Sequence, residues 1–328
     1  MGRIAVVALG GNAILPKESK GTIHEQFART RESLSSVIYL LKRGYEIVIT
    51  HGNGPQVGNE LIRNKLGLKY ANVPDLPLGV IVAATEGWMG YMIEQSLQNI
   101  LKMAGIKKEV VTIPTQVIVS KEDPAWKNPN KPIGPFLDNE EAKELQKRGI
   151  AVMEDAGRGF RRVVPSPFPL EIVEKEAIKR FLRDGGIVIA AGGGGMPVYI
   201  EKDGTYEGLE GVIDKDFASS VLGRDVGAHL LMILTPVPEV YINFGTEEQK
   251  PLKMIKADDA EQYLRQGEFP RGSMGPKIMA AIEFLKSGGE EVIITSVDFV
   301  DKALEGKRGT KIIKGIGYKQ EIIQFKKN

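Results

Sequence analysis

Short apolar runs that lead directly into glycine recur along the chain and predict buried strands of a parallel sheet. Continuous apolar runs of this length are typical of strands that are covered on both faces. Three of them are Ile4–Leu9, Glu46–Thr50 and Ile187–Ala191. The loops that follow them are Gly10-Gly11-Asn12, His51–Gly54 and Gly192–Gly195. Because ligands of open parallel sheets bind beyond the carboxyl ends of the strands, we expect the three loops to form one site.

Between the strands, apolar residues recur at helical spacing. Thr22–Glu25 has the spacing of a capping box, and we expect one helix from there to a stop at Gly44. Further helices are predicted over residues 57–66, 83–104, 171–183 and 299–304, and from Asp214 and Gly275. Further strands are predicted over residues 110–113, 198–200, 230–234, 292–295 and 310–313, the second of them in a hairpin. Alternation of strands and helices predicts an α/β fold with right-handed crossovers.

The alternation breaks between about residues 121 and 169. Seven of the chain's 18 prolines fall in this segment, and prolines at that density are not compatible with central strands or helix interiors. We interpret the segment as an inserted lobe or lid. The alternative, a long surface loop without structure, fits a compact protein less well.

Composition and charge remove several classes of function. The 44 basic and 42 acidic side chains nearly cancel, which gives no electrostatic case for binding nucleic acid or an acidic membrane surface. The chain has no cysteine and three histidines, which excludes thiolate chemistry and disfavours a histidine-based zinc site. No apolar run approaches the ~18 residues of a membrane span, and no signal-peptide pattern is visible, so a cytoplasmic protein is expected.

The glycine loops have two interpretations, a cradle of N–H groups for phosphate or tight packing of strand against helix. No G-x-x-x-x-G-K-[ST] or G-x-G-x-x-G pattern occurs, which argues against a Walker-type or dinucleotide site. Three lysines on constrained backbone favour phosphate. They are Lys131 among prolines, Lys215 between two aspartates at a helix start, and Lys277 behind a Gly-Ser-Met-Gly turn. Each lysine alone is compatible with a solvated surface, and Asp214 with a helix cap. The set suits phosphoryl transfer, which needs positioning and positive charge.

Seven motifs in order make the chain resemble the carbamate kinases of the amino acid kinase superfamily, from about Arg3 to Ile313. The first two are shared across the superfamily, whereas the third and fourth are much narrower. They are ALGGNA (Ala8–Ala13), THGNGPQVG (Thr50–Gly58), NPNKPIGPF (Asn128–Phe136), EDAGRGFRRVVPSP (Glu154–Pro167), AGGGGMPV (Ala191–Val198), VIDKD (Val212–Asp216) and GSMGPK (Gly272–Lys277).

The resemblance implies a three-layer αβα sandwich on a mainly parallel sheet of about eight strands, with a small protruding lid subdomain at about residues 121–169. It implies an N-terminal lobe, residues 1–185, for carbamate or carbamoyl phosphate, and a nucleotide lobe, residues 186–313. The implied enzyme is a cytoplasmic homodimer of arginine metabolism that transfers phosphate reversibly between ATP and carbamate, with Mg2+ carried by the nucleotide. Residues 314–328 extend beyond the resemblance and have no assigned role.

The resemblance also implies roles for individual residues. Gly10, Gly11 and Asn12, with Gly52 and Asn53, would bind carbamate and the transferring phosphoryl group. Lys131 would reach the phosphates from the lid, and Lys215 and Lys277 would neutralise charge on the γ-phosphate and on ADP. Asp216 would orient the lysines, with Asp214 the weaker candidate for that task. The turn at Met274 and Gly275 would lie against the nucleotide.

One departure from the family pattern leaves alternatives open. Where many relatives have Thr-Asp-Val, this chain has Thr235-Pro236-Val237, so a carboxylate is missing at the nucleotide edge and nucleotide preference is in question. One alternative is an amino-acid kinase relative that phosphorylates an acyl carboxylate such as acetylglutamate. The other is a non-catalytic nucleotide or anion sensor on the same fold. The retained lysines with Asp216 argue against the sensor, and the direction of the reaction is not predicted.

Overall fold

The structure is a computed structural model that describes residues 2–14, 21–154, 159–270 and 272–315, without the side chains of Asn12 and Ala13. The strands of these residues are β1 Arg3–Leu9, β2 Tyr45–His51, β3 Val110–Thr112, β4 Gln116–Ile118, β5 Lys131–Leu137, β6 Val152–Glu154, β7 Phe160–Val164, β8 Glu171–Ile172, β9 Ile187–Ile189, β10 Met196–Ile200, β11 Tyr206–Gly208, β12 Leu230–Leu234, β13 Val240–Ile242, β14 Lys250–Leu252, β15 Met254–Lys256, β16 Glu291–Thr295 and β17 Thr310–Ile313. The helices are α1 Gly11–Ile14, α2 Ile23–Leu34, α3 Val37–Lys42, α4 Gly54–Ala71, α5 Leu78–Met103, α6 Asn139–Lys147, α7 Lys175–Arg183, α8 Lys215–Val226, α9 Ala257–Gln266, α10 Met274–Lys286 and α11 Val300–Leu304.

One mainly parallel sheet of eight strands forms the centre of the molecule, in the order β15-β17-β16-β12-β1-β2-β9-β3. Of the strand pairs in it, β16 with β17 is antiparallel. The register pairs Leu9 with His51 on one side and with Leu234 on the other. The carboxyl ends of β1, β2 and β12 therefore meet at one edge of the sheet. Strand β9, the third of the predicted glycine-terminated strands, pairs in parallel with β2.

Alternate residues of β1 enter two different cores. Ile4, Val6 and Ala8 pack in the core that α8 and α10 cover, whereas Ala5, Val7 and Leu9 pack in the core that α2, α3 and α5 cover. A strand buried on both faces reads as a continuous apolar run because neither face meets water. The three-layer αβα arrangement predicted from the sequence is confirmed.

The predicted insertion contains a sheet of its own. Strands β5, β7 and β6 form a three-stranded antiparallel sheet, and α6 begins behind it with a capping box at Asp138. We call these four elements the protruding unit. It meets α4 where two glycines touch, since a Cβ on Gly58 would lie 1.8 Å from Gly134 Cα. Only glycine at this crossing lets the helix and the strand approach so closely.

Four predicted helices have different bounds in the structure. Helix α4 extends beyond the predicted 57–66 at both ends, and α5 begins five residues before the predicted start at 83. The predicted helix from Thr22 to Gly44 is two helices, because the hydroxyls of Ser35 and Ser36 donate to carbonyls one turn back at 2.6 Å and interrupt the ladder. The helix predicted over 171–183 starts at Lys175, because Glu171–Ile172 pairs with β4 in a second, four-stranded sheet. The capping box at Thr22 and the hairpin of β10 with β11 are present.

No helix in the described part of the chain is long and apolar enough to cross a membrane. The proposed division of the chain near residue 185 stays a prediction. Most of the tail beyond the resemblance, residues 316–328, lies outside the described residues.

Candidate active site

The first glycine turn is held against β12. Gly10 donates its N–H to Leu234 O at 3.1 Å, and a Cβ at Gly10 would lie 2.6 Å from that oxygen. A Cβ at Gly11 would meet nothing within 4 Å, so the backbone there borders open space and opens α1. This arrangement lets a ligand approach the main chain closely. Asn12 is the second residue of α1, and its side chain lies outside the description.

The second loop places Gly52 beside a predicted catalytic lysine. A Cβ on Gly52 would lie 3.2 Å from Lys215 Cδ and 3.5 Å from Gly11 N. Asn53 is the N-cap of α4, but its side chain is buried and donates to Thr85 Oγ1 at 2.9 Å. The structure thus brings Gly52 to the site and turns the Asn53 amide inward. Its predicted contact with substrate stays a prediction.

The third loop, Gly192–Gly195, is packed rather than open. A Cβ at Gly193 would lie 2.0 Å from Asn53 Nδ2, and one at Gly194 would lie 2.3 Å from Ile213 O. The glycines are buried and wedge between the neighbouring loops. For this loop, tight packing therefore replaces the phosphate cradle that three glycine loops suggested, and its role is to support the other two.

One buried aspartate joins two of the predicted lysines. Asp216, in the first turn of α8, accepts from Lys215 Nζ at 2.6 Å through Oδ1 and from Lys277 Nζ at 3.0 Å through Oδ2. Its side chain is 3% exposed, against 12% and 16% for the two lysines. Lys277 comes from α10, which packs against α8. Two cations from different helices are thereby fixed side by side.

Burial and mutual attraction together set the pKa values of Asp216, Lys215 and Lys277, which we call the trio. Burial opposes ionisation of Asp216, but the adjacent Lys215 and Lys277 outweigh it and hold the pKa of Asp216 below its usual range. Burial also disfavours the charge on Lys277, yet Asp216 raises its pKa. For Lys215, burial is the larger influence and its pKa is lowered. A buried lysine pair with one counter-charge leaves net positive charge for an anionic ligand.

Lys131 lies on β5 of the protruding unit and is paired with Asp214. Its Nζ donates to Asp214 Oδ2, while Asp214 Oδ1 accepts the N–H of Asp216 at 2.8 Å and caps α8. Burial opposes ionisation of Asp214, and Lys131 and Lys215 together reverse this and lower its pKa. Asp214, the weaker candidate in the sequence, is therefore the residue that connects the protruding unit to the two-lysine centre.

A cavity of about 620 Å³ lies beside the two lysines, a usual size for a small-molecule site. Gly10, Gly11, Lys215 and Lys277 line it, together with a larger set of residues that is mostly apolar. The apolar and lid residues include Pro236, Val237, Tyr241, Phe244, Met274, Phe136 and Arg161. Met274 lines the cavity, whereas Gly275 is buried and donates its N–H to Pro270 O at 2.9 Å.

Comparison with known proteins identifies the family. A family model described as the amino acid kinase family matches residues 3–296. The chain belongs to this family.

Individual relatives give a more specific likeness than the family model, because they are carbamate kinases. Carbamate kinase of Pyrococcus horikoshii is 50% identical over 308 residues, 94% of this chain and 98% of that protein. Among solved structures, carbamate kinase from Giardia lamblia bound to citric acid is 41% identical with a TM-score of 0.90, covering 96% of this chain and 99% of the other. The same enzyme bound to AMP-PNP gives 41% and 0.87 with the same coverage. The resemblance predicted from the motifs is confirmed.

Sequence reasoning missed several side chains of this amino acid kinase site. Arg161 and Phe136 line the cavity from the protruding unit, and Tyr241 and Phe244 line it as well. Arg161 sits in a quoted motif, and alternation along β7 separates it from Arg162, but no spacing rule indicates which one faces the cavity. Thr85 and Glu86, which hold the loops, sit inside α5 without any local signal in the sequence.

Proposed function

We propose that the chain is a carbamate kinase, which transfers a phosphoryl group reversibly between ATP and carbamate to give ADP and carbamoyl phosphate. The observation that carries the proposal is the pair Lys215 and Lys277 on one buried Asp216, in a cavity that Gly10 and Gly11 also line. The chain also resembles carbamate kinases over 94–96% of its length, and this resemblance supports carbamate as the substrate.

In the proposed reaction, a carbamate oxygen attacks the γ-phosphorus of ATP while the bond to the bridging oxygen of ADP breaks. Carbamate is already an anion with a nucleophilic oxygen, so no general base is required. Negative charge moves onto ADP, and preorganised cations stabilise such charge without reorganising. We assign this task to Lys215 and Lys277, with the N–H groups around Gly10 and Gly11 holding the transferring group.

Lys131 would act through an exchange of partners. Its ammonium is held by Asp214 in this structure, and a phosphate group near Lys215 would compete for it as a charge-assisted acceptor. Movement of Lys131 onto the phosphate would draw the protruding unit over the cavity. Asp214 would then keep its hydrogen bond from the Asp216 N–H and remain in place.

The nucleotide base would lie against the apolar side chains that line the cavity. Tyr241 and Phe244 lie there with ring centroids 6.1 Å apart, and Pro236 adds a third flat apolar surface. We propose that the base is held by stacking and apolar contact, with Mg2+ arriving on the nucleotide phosphates. The described residues include no group of three or more His, Asp or Glu that could hold a metal ion.

We also propose that the protein works as a cytoplasmic homodimer, an expectation that comes from the family. Large apolar side chains are exposed on α4 and at the start of α5, among them Leu66 (49%), Tyr70 (73%) and Val80 (48%). An exposed apolar patch of this kind favours burial in an interface, and a second copy of the chain is the partner we infer.

The test is ATP formation from ADP and carbamoyl phosphate with Mg2+, run beside acetylglutamyl phosphate and a no-enzyme control. Carbamoyl phosphate breaks down unaided, so the control sets the smallest rate that counts. Turnover with carbamoyl phosphate alone is the expected result. Turnover with acetylglutamyl phosphate would favour an acyl carboxylate kinase, and ADP binding without any turnover would favour a sensor.

A further inference from the structure

Glu86 on α5 is a buried carboxyl group that the proposed reaction does not use. It is 1% exposed. Its Oε1 accepts the N–H of Gly192 at 2.8 Å and its Oε2 accepts the N–H of Thr115 at 3.2 Å. No lysine or arginine among the described residues pairs with it. An ionised carboxylate in such surroundings is costly unless a cation or many donors compensate for it.

His51 faces Glu86 across the glycine loop. Its Nε2 is buried and has no hydrogen-bond partner among the described residues, while its Nδ1 lies 3.4 Å from Gly52 O. The point where a Cβ on Gly192 would sit is 2.4 Å from His51 Nε2 and 2.9 Å from Glu86 Cγ. The imidazole and the carboxyl arm therefore approach each other over Gly192, where any side chain would separate them.

The protonation states of the two groups complement each other. Burial raises the pKa of Glu86 to about 8, and the nearby charge of Glu174 adds to the rise. Burial lowers the pKa of His51 to about 4. Between these values Glu86 carries a proton and His51 is neutral. With its Nδ1–H directed at Gly52 O, the imidazole presents Nε2 as a bare acceptor.

We propose that Glu86 is a positioning residue that works as a neutral carboxylic acid: it accepts the N–H of Gly192 and Thr115 and donates its proton towards His51 Nε2 through one water molecule. This assignment gives a donor to the buried Nε2 of His51, which has no other hydrogen-bond partner among the described residues. It also ties the loop after β9 to the loop after β2.

The tie reaches the phosphoryl site through the backbone of His51 and Gly52. Gly52 lies against Lys215 and Gly11, so a shift of this backbone would move the catalytic lysine relative to the glycine turn. The neighbouring Thr85 holds Asn53 through its hydroxyl. Two consecutive residues of α5 therefore hold both loops from behind, and their effect on turnover rests on the proposed kinase function.

Glu86→Gln tests the proton, because an amide cannot titrate. Its oxygen can keep the N–H of Gly192 and its nitrogen can donate towards His51, while the longer hydrogen bond from the Thr115 N–H, at 3.2 Å, is lost. We expect it to retain most of the wild-type kcat near neutral pH and to lack the fall in kcat that wild type undergoes as pH rises through about 8. Glu86→Ala, which loses the hydrogen bonds to both loops, should lose on the order of 10²-fold in kcat through misplacement of the site. Glu94→Gln, on the same helix and bonded to Thr112 Oγ1 at 2.9 Å, is the matched control and should resemble wild type.

A second measurement does not depend on catalysis. The infrared spectrum should contain the C=O stretch of a buried protonated carboxyl near neutral pH, absent from Glu86→Gln and lost from wild type as pH rises through about 8. Absence of this band in wild type, or Glu86→Gln that is as impaired as Glu86→Ala and keeps the alkaline fall, would overturn the proposal. If all variants lack kinase activity while the band is present, the proposed function fails and the proton assignment stands.

The pH dependence of Tm is a third test of the proposal. The pKa of Glu86 is raised from 4.5 to about 8 in the folded protein. The stability that its proton contributes is therefore fully present below about pH 4.5 and lost as pH rises through about 8. Between about pH 6 and about pH 9 the Tm of wild type should fall relative to that of Glu86→Gln. Parallel Tm profiles would contradict the proposal.

Discussion

Asp216 is the side chain that joins the two buried lysines of the site. It is the only counter-charge within hydrogen-bond distance of both Lys215 and Lys277 among the described residues. A buried ion pair contributes little net stability, whereas removing one partner is expensive because the other charge is left buried and alone. The trio is therefore better understood as a device for holding two cations at a fixed spacing.

Asp216→Asn should impair both stability and turnover. We expect the free energy of unfolding to fall by about 3–5 kcal/mol, and kcat to fall on the order of 10²–10³-fold because the lysines lose their orientation. Denaturant unfolding and ATP formation from carbamoyl phosphate measure the two effects. Asp225→Asn is the control on the same helix: Asp225 accepts the N–H of Ile172 at 2.8 Å, so its loss should lower stability but leave kcat unchanged. Wild-type kcat in Asp216→Asn would contradict the assignment.

Lys131→Ala should lower turnover more than it lowers stability. Lys131 is 26% exposed and Asp214 is 18% exposed, and Asp214 keeps Lys215 as a neighbouring cation, so the free energy of unfolding should fall by less than the about 3–5 kcal/mol that loss of one partner costs in a fully buried pair. Turnover should fall by about 10²-fold if the ammonium reaches the phosphates. Lys127→Ala removes an exposed lysine of the same segment and should match wild type in both measurements. Unchanged turnover in Lys131→Ala would remove the protruding unit from the mechanism.

At the scale of single residues, the sequence indicates which residues belong to the site better than it indicates which of them contact each other. Lys131, Lys215 and Lys277 stand out because each lies on constrained backbone. The sequence does not show that Asp214 rather than Asp216 binds Lys131, because that contact spans 83 residues of chain. The sequence does not show that Glu86 lies near His51 either, because their proximity depends on how α5 crosses behind two strand ends.

At the scale of elements, the crossing of α4 and β5 decides where Lys131 can lie. The two backbones touch at Gly58 and Gly134, with no space for a Cβ on the helix side. Lys131 begins the same strand three residues earlier. Separation of helix and strand would therefore carry the lysine away from Asp214 and the cavity.

Gly58→Ala tests this crossing. Alanine favours helix over glycine by about 1 kcal/mol, but the added Cβ would lie 1.8 Å from Gly134 Cα, so the clash should prevail. We expect a net loss of about 1–3 kcal/mol in the free energy of unfolding together with reduced kcat. In Gly67→Ala, on the same helix, the nearest atom would be 3.7 Å away, so this control should gain stability and keep its kcat. A fully active Gly58→Ala would show that the crossing does not position Lys131.

Element prediction succeeds where burial sets the pattern and fails where polar side chains or pairing intervene. The central strands are predicted closely because both of their faces are covered. The split between α2 and α3 depends on two serine hydroxyls, and the short strand Glu171–Ile172 depends on a partner more than fifty residues away. Neither cause is present in a local window of sequence.

At the scale of the whole molecule, the exposed apolar face on α4 and α5 is the feature that the monomer leaves uncovered. Leu66 and Tyr70 are one helical turn apart on α4, and Val73 follows them with 55% exposure. Spacing of four residues places the first two on one side of the helix. Since most soluble homo-oligomers are two-fold dimers in which one patch pairs with itself, this face suits the inferred homodimer.

Leu66→Glu combined with Tyr70→Glu should convert the dimer into a monomer. Two carboxylates on each copy would repel their counterparts and lose hydration at a two-fold contact, so the mass from light scattering after gel filtration should fall from two chains to one. Met103→Glu, at the opposite end of α5 and 82% exposed, is the matched control and should remain dimeric. A dimeric double variant with unchanged mass would place the interface elsewhere, and a monomeric wild type would refute the dimer itself. Turnover of the monomer, measured alongside, would tell whether the cavity of one chain suffices for catalysis.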